Sequence, residues 1–154
     1  MLNSKSPFGE TFSFSINEET EKSAINQLCQ NNRQTVVVQG LGFVGSAMVG
    51  ALAITKNNQG LPLYNVIGVD LGDEQNYWKI GLVNQGKPPV KSTDCSLQDA
   101  FIYGKKSGNL MASFSSHAYS VADIIVVDKQ ATSSVYTIFI LTIFIIHTTS
   151  SRSW

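Results

Sequence analysis

Between Thr35 and Thr55 a β-branched run, Thr-Val-Val-Val-Gln, passes through Gly40-Leu41-Gly42-Phe43-Val44-Gly45 into a stretch of small residues. Few backbones accommodate that order. A short β-branched run closed by glycine has the pattern of a strand buried on both faces of a parallel sheet. From Gly45 to Thr55, Ser46, Ala47, Gly50, Ala51 and Ala53 stand beside Met48, Val49 and Leu52, as in a helix that lies close on its neighbours. In a strand, turn and helix of this kind each glycine of GxGxxG has its own task. The first permits the tight turn, the second lets backbone approach a pyrophosphate, and the third lets the helix pack on the strand. Phosphates would meet free N–H groups at the helix N-terminus, where the backbone partial charge is positive. Gly40, Gly42, Phe43, Val44 and Gly45 are therefore candidate cofactor-binding residues.

Downstream, Lys56 to Pro62 reads as a loop and Tyr64 to Val69 as a second strand ending at Asp70. An acid at that strand tip can accept hydrogen bonds from adenosine ribose hydroxyls. Its distance from Gly45 somewhat exceeds the usual ~20 residues, an excess the loop absorbs. Asp70, Asp73 and Glu74 cluster with no arginine among them, a charge that would repel a 2′-phosphate and so favours NAD over NADP. The competing reading is a glycine turn that serves packing alone, or a different adenosine ligand.

Further helices are expected over Asp73 to Gln85, with Tyr77, Ile80 and Val83 or Trp78 and Leu82 as packing faces, and over Ser96 to Ser107. Gly81 within the first costs about 1 kcal/mol relative to alanine. The second has a Ser96/Asp99 capping box and Gly108 as its stop. Leu110 to Phe114 reads as a short strand, Ala118 to Ala122 as a turn of helix, and Asp123 to Val127 as a third strongly buried strand. Upstream, Asn17 can cap one helix with Ile25, Leu28 and Cys29 as its apolar stripe. The alternation predicts an α/β fold, a Rossmann-type parallel sheet with helices on both faces, incomplete. Residues 1–34 would be an extension with one helix, 35–128 the NAD-binding unit, and 129–154 an apolar tail.

The blocks VVVQGLGFVGSAM, VIGVD, KIGLVNQGKPP, KSGNLMAS and ADIIVVD, in this order between Val36 and Val127, resemble the N-terminal domain of the UDP-glucose/GDP-mannose dehydrogenase family. The blocks at Lys79 to Pro89 and Lys106 to Ser113 are the more specific ones. The resemblance implies NAD-dependent oxidation of a nucleotide-sugar C6 alcohol to the carboxylate through a thioester on a cysteine. It also implies that Lys79, which lines up with a family lysine beside the cofactor ribose, assists Asp70. A solvated helix charge is the plainer reading of Lys79.

The family's nucleophilic cysteine lies far downstream in a glycine-rich motif that neither Cys29 nor Cys95 matches, so no catalytic residue is assigned. Where the family has a Pro-Thr loop over the cofactor, this chain reads Asp128-Lys129-Gln130-Ala131. The expectation is a cofactor-binding unit that meets a nucleotide-sugar substrate only in a complete enzyme and does not oxidise it alone. A regulatory nucleotide-binding module and a nonfunctional truncated fragment are the alternatives.

Eleven basic and eleven acidic residues cancel, so nucleic acid and anionic lipid are not expected partners. The two cysteines have no CxxC spacing and no histidine at ligand spacing, which fits a reducing cytoplasm and no metal site. His117 and His147 read as surface residues, and Lys87, Lys91, Lys105 and Lys106 as solvated charges. Residues 1–17 contain no apolar stretch of the length a secretory signal needs. The apolar run Val135 to Ile146, about 18 Å as a helix, is too short for a ~30 Å hydrocarbon core. The run has no clean period, and the loss of the family resemblance right after Val127 suggests a foreign tail, from a frameshift, a truncated gene or a mispredicted reading frame, the structural alternative being an extra strand on the sheet.

Overall fold

A computed structural model of the chain describes residues 1–132 and 137–145. The first elements are a hairpin of β1 (Leu2–Lys5) and β2 (Thr11–Phe14), then helix α1 (Glu18–Leu28) with Asn17 as its cap. The expected strand follows as β3 (Gln34–Gln39), then α2 (Phe43–Ala53) and β4 (Tyr64–Val69). The chain continues through α3 (Tyr77–Asn84), α4 (Cys95–Ser107), β5 (Leu110–Ser113), α5 (His117–Val121), β6 (Ile124–Thr132) and β7 (Thr137–Ile145).

Side chains alternate across a strand, and in β3 both directions are buried. Val36 and Val38 join Val49, Val66, Ile80 and Phe101 on one face, while Val37 joins Ile25, Ile67 and Ala118 on the other. Such a strand must be central. The sheet order is β5-β4-β3-β6-β7, with β5, β4, β3 and β6 parallel and β7 antiparallel to β6. The fold is thus α/β and Rossmann-type, with helices on both faces. From β3 the chain steps outward to β4 and β5, then returns to place β6 on the other side of β3. Right-handed crossovers in opposite directions put their helices on opposite faces. Accordingly the residues of α2, α3 and α4 pack in the core that holds Val36 and Val38, and those of α5 in the core that holds Val37.

The hairpin, which the sequence reading missed, seats on α3. Phe14 stacks on Tyr77 with ring centroids 4.0 Å apart, and Ser4 Oγ donates to the Glu74 carbonyl at 2.7 Å while accepting from Trp78 N–H at 3.0 Å. The expected upstream helix is α1, which carries Ile25 into the core around Val37.

Several expectations need correction. The Ser96/Asp99 capping box does not form: α4 begins at Cys95, and Asp94, with extended backbone, accepts from Ser96 N–H at 2.8 Å. A cap needs non-helical dihedrals, and Ser96 is already helical. Helix α3 starts at Tyr77, not Asp73, because Asp73 Oδ1 accepts from the N–H groups of Gln75 at 3.0 Å and Asn76 at 2.8 Å. That local turn competes with helix. Helix α2 begins two residues early, at Phe43. Strand β6 runs on to Thr132, and Thr137–Ile145 pairs with it, so most of the apolar run forms an added strand. Residues 133–136 and 146–154, His147 among them, lie outside the described residues. Among the described residues no helix is long and apolar enough to cross a membrane.

Candidate functional site

Where consecutive connections leave a central strand in opposite directions, a crevice opens at the carboxyl ends of the strands, and ligands of open α/β sheets bind there. In this sheet the crevice lies beside β3, between β4 and β6. The chain places its glycine turn at that point. Gly40 follows β3 with φ +96°, in the left-handed region where a side chain would be strained, and its N–H donates to the Val69 carbonyl at 2.8 Å. Leu41 then turns inward. It is fully buried, and a Cβ on Gly68 of β4 would come within 2.6 Å of its side chain. The glycine in Tyr-Asn-Val-Ile-Gly-Val is thus room made for Leu41, a signal the sequence reading left unused.

Gly42 caps α2 without a side chain. Phe43 and Val44 open the helix, where N–H groups have no intrahelical acceptor. Phe43 is two-thirds exposed, at 66%. Gly45 faces back onto the turn, so that an added Cβ would stand 1.8 Å from the Gly40 carbonyl oxygen. That is the close approach of helix and strand expected of the third glycine.

Asp70 lies at the tip of β4, directly beside this turn. Its Oδ2 accepts from Leu41 N–H at 2.9 Å and from Lys79 Nζ at 3.2 Å, and its Oδ1 accepts from Leu71 N–H at 2.8 Å. The carboxylate therefore fixes both the glycine turn and Lys79, whose ammonium also donates to Asn76 Oδ1 at 3.0 Å. With side-chain exposures of 21% for Lys79 and 11% for Asp70, the pair is more sheltered than a surface ion pair. Lys79 is no solvated helix charge: α3 delivers it to Asp70. A carboxylate has about four lone-pair positions. One position on Oδ1 is left to face a hydroxyl donor, and the adjacent ammonium can donate to the same hydroxyl group.

Asp128, at the carboxyl end of the β6 segment that pairs with β3, completes the crevice. Its Oδ2 accepts from Gly45 N–H at 3.1 Å. All three glycines face this residue: a Cβ on Gly40 would lie 3.2 Å from the Asp128 carbonyl oxygen, and Cβ atoms on Gly42 and Gly45 would lie 3.9 and 3.6 Å from Oδ2. The sequence noted Asp128 only as a departure from a family pattern. Its position directly after a buried β-branched strand, like that of Asp70, was the available signal.

Beyond Asp70 the strand ends carry a second polar cluster. Ser113 Oγ donates to Glu21 Oε2, and Ser115 Oγ donates to Glu18 Oε2 at 2.7 Å. Burial pushes the Glu21 carboxyl above its ordinary 4.5; the Ser113 hydrogen bond opposes this and the Glu18 charge adds to it. Burial raises the Tyr77 phenol, helped by Glu21, and the Tyr119 phenol, helped by Asp70.

The cysteines stand apart from these groups. Cys29 ends α1, with Sγ 3.5 Å from Thr35 Oγ1, and Cys95 opens α4 in an exposed position. His117 contacts Asn26 Oδ1 at 2.9 Å and Ser120 Oγ at 3.1 Å. Of the four lysines read as solvated charges, Lys87 pairs with Glu10 at 2.9 Å and so ties the hairpin to the segment after α3.

No protein-family pattern matches the chain, and no curated protein is significantly similar to it. Solved structures do match. A UDP-glucose dehydrogenase from the hyperthermophilic archaeon Pyrobaculum islandicum superposes with a TM-score of 0.50 at 21% identity, over 64% of this chain and 20% of that one. An NDP-N-acetyl-D-galactosaminuronic acid dehydrogenase from Methanosarcina mazei Go1 gives a TM-score of 0.57 at 18% identity, over 77% of this chain and 23% of that one. The chain therefore spans about a fifth of the length of the structures it matches. At these identities the likeness is one of fold: this chain has the α/β fold found in part of two nucleotide-sugar dehydrogenases.

Proposed function

We propose that the chain is the dinucleotide-binding unit of a nucleotide-sugar dehydrogenase, with NAD as the dinucleotide. The observation that carries this reading is the junction of Asp70 and Lys79 with the glycine turn at the switch point of the sheet. Gly42 leaves the backbone open to a diphosphate, the N–H groups of Phe43 and Val44 point out of the helix start, and Asp70 with Lys79 stands where the adenosine ribose would lie. A ribose hydroxyl would donate to Asp70 Oδ1 and accept from Lys79 Nζ. The carboxylate also disfavours a ribose carrying a 2′-phosphate, which selects NAD over NADP.

The fit is good at the ribose and incomplete at the diphosphate, where the Asp128 carboxylate already takes the Gly45 N–H. The chemistry that NAD supplies when bound is hydride acceptance, here from the C6 carbon of a UDP- or GDP-linked sugar. This chain's part is to hold and orient the cofactor. Neither described cysteine belongs to the crevice, so proton removal, covalent catalysis and sugar binding fall to other segments of a complete enzyme.

Calorimetric titration of the folded chain with NAD tests the reading. Binding that Asp70→Ala weakens by about tenfold or more is expected, since the ribose contact to Oδ1 and the anchor of Lys79 are lost together. No binding at millimolar NAD to chain with a cooperative unfolding transition would overturn it, provided that Asp128→Asn also fails to bind.

A further inference from the structure

A helix start with a carboxylate already hydrogen-bonded to its N–H is a different receptor from one open to an incoming anion. In this molecule Asp128 Oδ2 accepts from Gly45 N–H at 3.1 Å and lies 3.9 Å from the space a Gly42 side chain would fill. Gly42 is where the backbone is bare enough for a diphosphate to approach. The carboxylate and the diphosphate would therefore share one small volume and one set of donors. Two anions a few ångströms apart in a partly sheltered crevice repel each other. Asp70 has Lys79 as its ion-pair partner, whereas the hydrogen bond that Asp128 accepts comes from a backbone amide, that of Gly45.

The backbone of Asp128 is held in the sheet. Its backbone belongs to β6, the neighbouring Val127 is in register with Gln39 of β3, and its carbonyl oxygen lies against Gly40. A diphosphate that seats on the N–H groups of α2 must either turn the Asp128 side chain out of the crevice or tolerate its charge. Ligand groups that carry no charge at this position meet no such opposition.

We infer that Asp128 is a specificity-determining residue of the crevice, a negative charge that selects against diphosphate ligands at the α2 N-terminus while leaving recognition of the adenosine half to Asp70 and Lys79. This inference rests on the proposed dinucleotide reading of the crevice. It assigns the chain a weak affinity for NAD and for ADP, and an affinity for adenosine that owes nothing to residue 128.

The test compares the parent chain with Asp128→Asn, titrated with adenosine, ADP and NAD. Asparagine keeps an oxygen that can accept from Gly45 N–H and caps a helix about as well as aspartate, so the variant removes charge and little else. The expected result is about tenfold or greater tightening for ADP and NAD, with adenosine unchanged. Asp128→Ser, which keeps a hydroxyl acceptor, is the second variant and should tighten the same two ligands should the asparagine variant fold poorly. Equal affinities of parent and variants for NAD would overturn the inference and leave the dinucleotide reading standing. Equal tightening for adenosine would also overturn it, since the effect would then not belong to the diphosphate. Failure of the parent and both folded variants to bind NAD or ADP would remove the dinucleotide reading and this inference together.

Discussion

The carbonyl oxygen of Gly40 occupies the ground a Gly45 side chain would need: an ideal Cβ there stands 1.8 Å away, inside any possible contact. The oxygen is backbone at the turn after β3, and the Cβ would be fixed directly to backbone in the first turn of α2, so neither can yield without moving an element. Gly45→Ala should destabilise the chain by about 3 kcal/mol or more, at the upper end of overpacking penalties, as measured by urea unfolding. Parent-like stability would show that the helix and strand are not in this close approach.

Gly42 offers the complementary case. A Cβ there meets only Asp128 Oδ2, at 3.9 Å, and the backbone φ of −75° suits any residue. Gly42→Ala should unfold within about 0.5 kcal/mol of the parent, yet, on the proposed dinucleotide reading, bind NAD less tightly, because the added methyl group would stand where that reading puts the diphosphate. Loss of stability without loss of affinity would assign Gly42 to packing alone.

At Gly81 the conflict is with a side chain. A Cβ would come within 2.3 Å of Phe12 Cδ1, so the hairpin lies on α3 only because this helix position is bare. By helix propensity alone Gly81→Ala would stabilise by about 1 kcal/mol. The contact reverses the sign, and the substitution should destabilise by about 1–3 kcal/mol. In a Phe12→Ala background the same change should become neutral or favourable. A double-mutant cycle read by urea unfolding checks this, and additive effects would mean that the hairpin does not seat on Gly81.

What the sequence made legible follows from which interactions are local. The β-branched run at β3 and the exact span Tyr64–Val69 of β4 were readable because burial on both faces leaves an unbroken apolar signature. Asn17, Gly108 and the glycine turn were readable because caps and turns are written in a few adjacent residues. The start of α3 was misread because an aspartate turn and a helix N-terminus share the same acidic residues. The hairpin was missed because its anchors are distant in sequence: Phe14 meets Tyr77, Phe12 meets Gly81, and Lys87 meets Glu10. At the crevice, Asp70 was readable from its place at the tip of the second strand. That it holds Lys79 on one side and the N–H of Leu41 on the other required the fold.

The Glu21 carboxyl supplies a prediction with a definite sign. Desolvation is the largest influence on it and raises its pKa above 4.5, outweighing the Ser113 hydrogen bond that would lower it. The folded chain then holds this proton more tightly than the unfolded chain does. Between the unfolded value and the raised folded value the native state binds more protons, so this group's contribution to stability falls as pH rises through that window and stays lower above it. Glutamine at this position is neutral throughout and keeps an oxygen that can accept from Ser113 Oγ. Glu21→Gln should therefore melt at a higher temperature than the parent near pH 7, and the two melting curves should converge as the pH is lowered through the window toward 4.5 and below. Thermal unfolding monitored by circular dichroism across about pH 4 to 8 checks both features. A variant that melts below the parent at neutral pH would mean that the charge-assisted bond to Ser113 outweighs burial, and that Glu21 stabilises the fold as an anion.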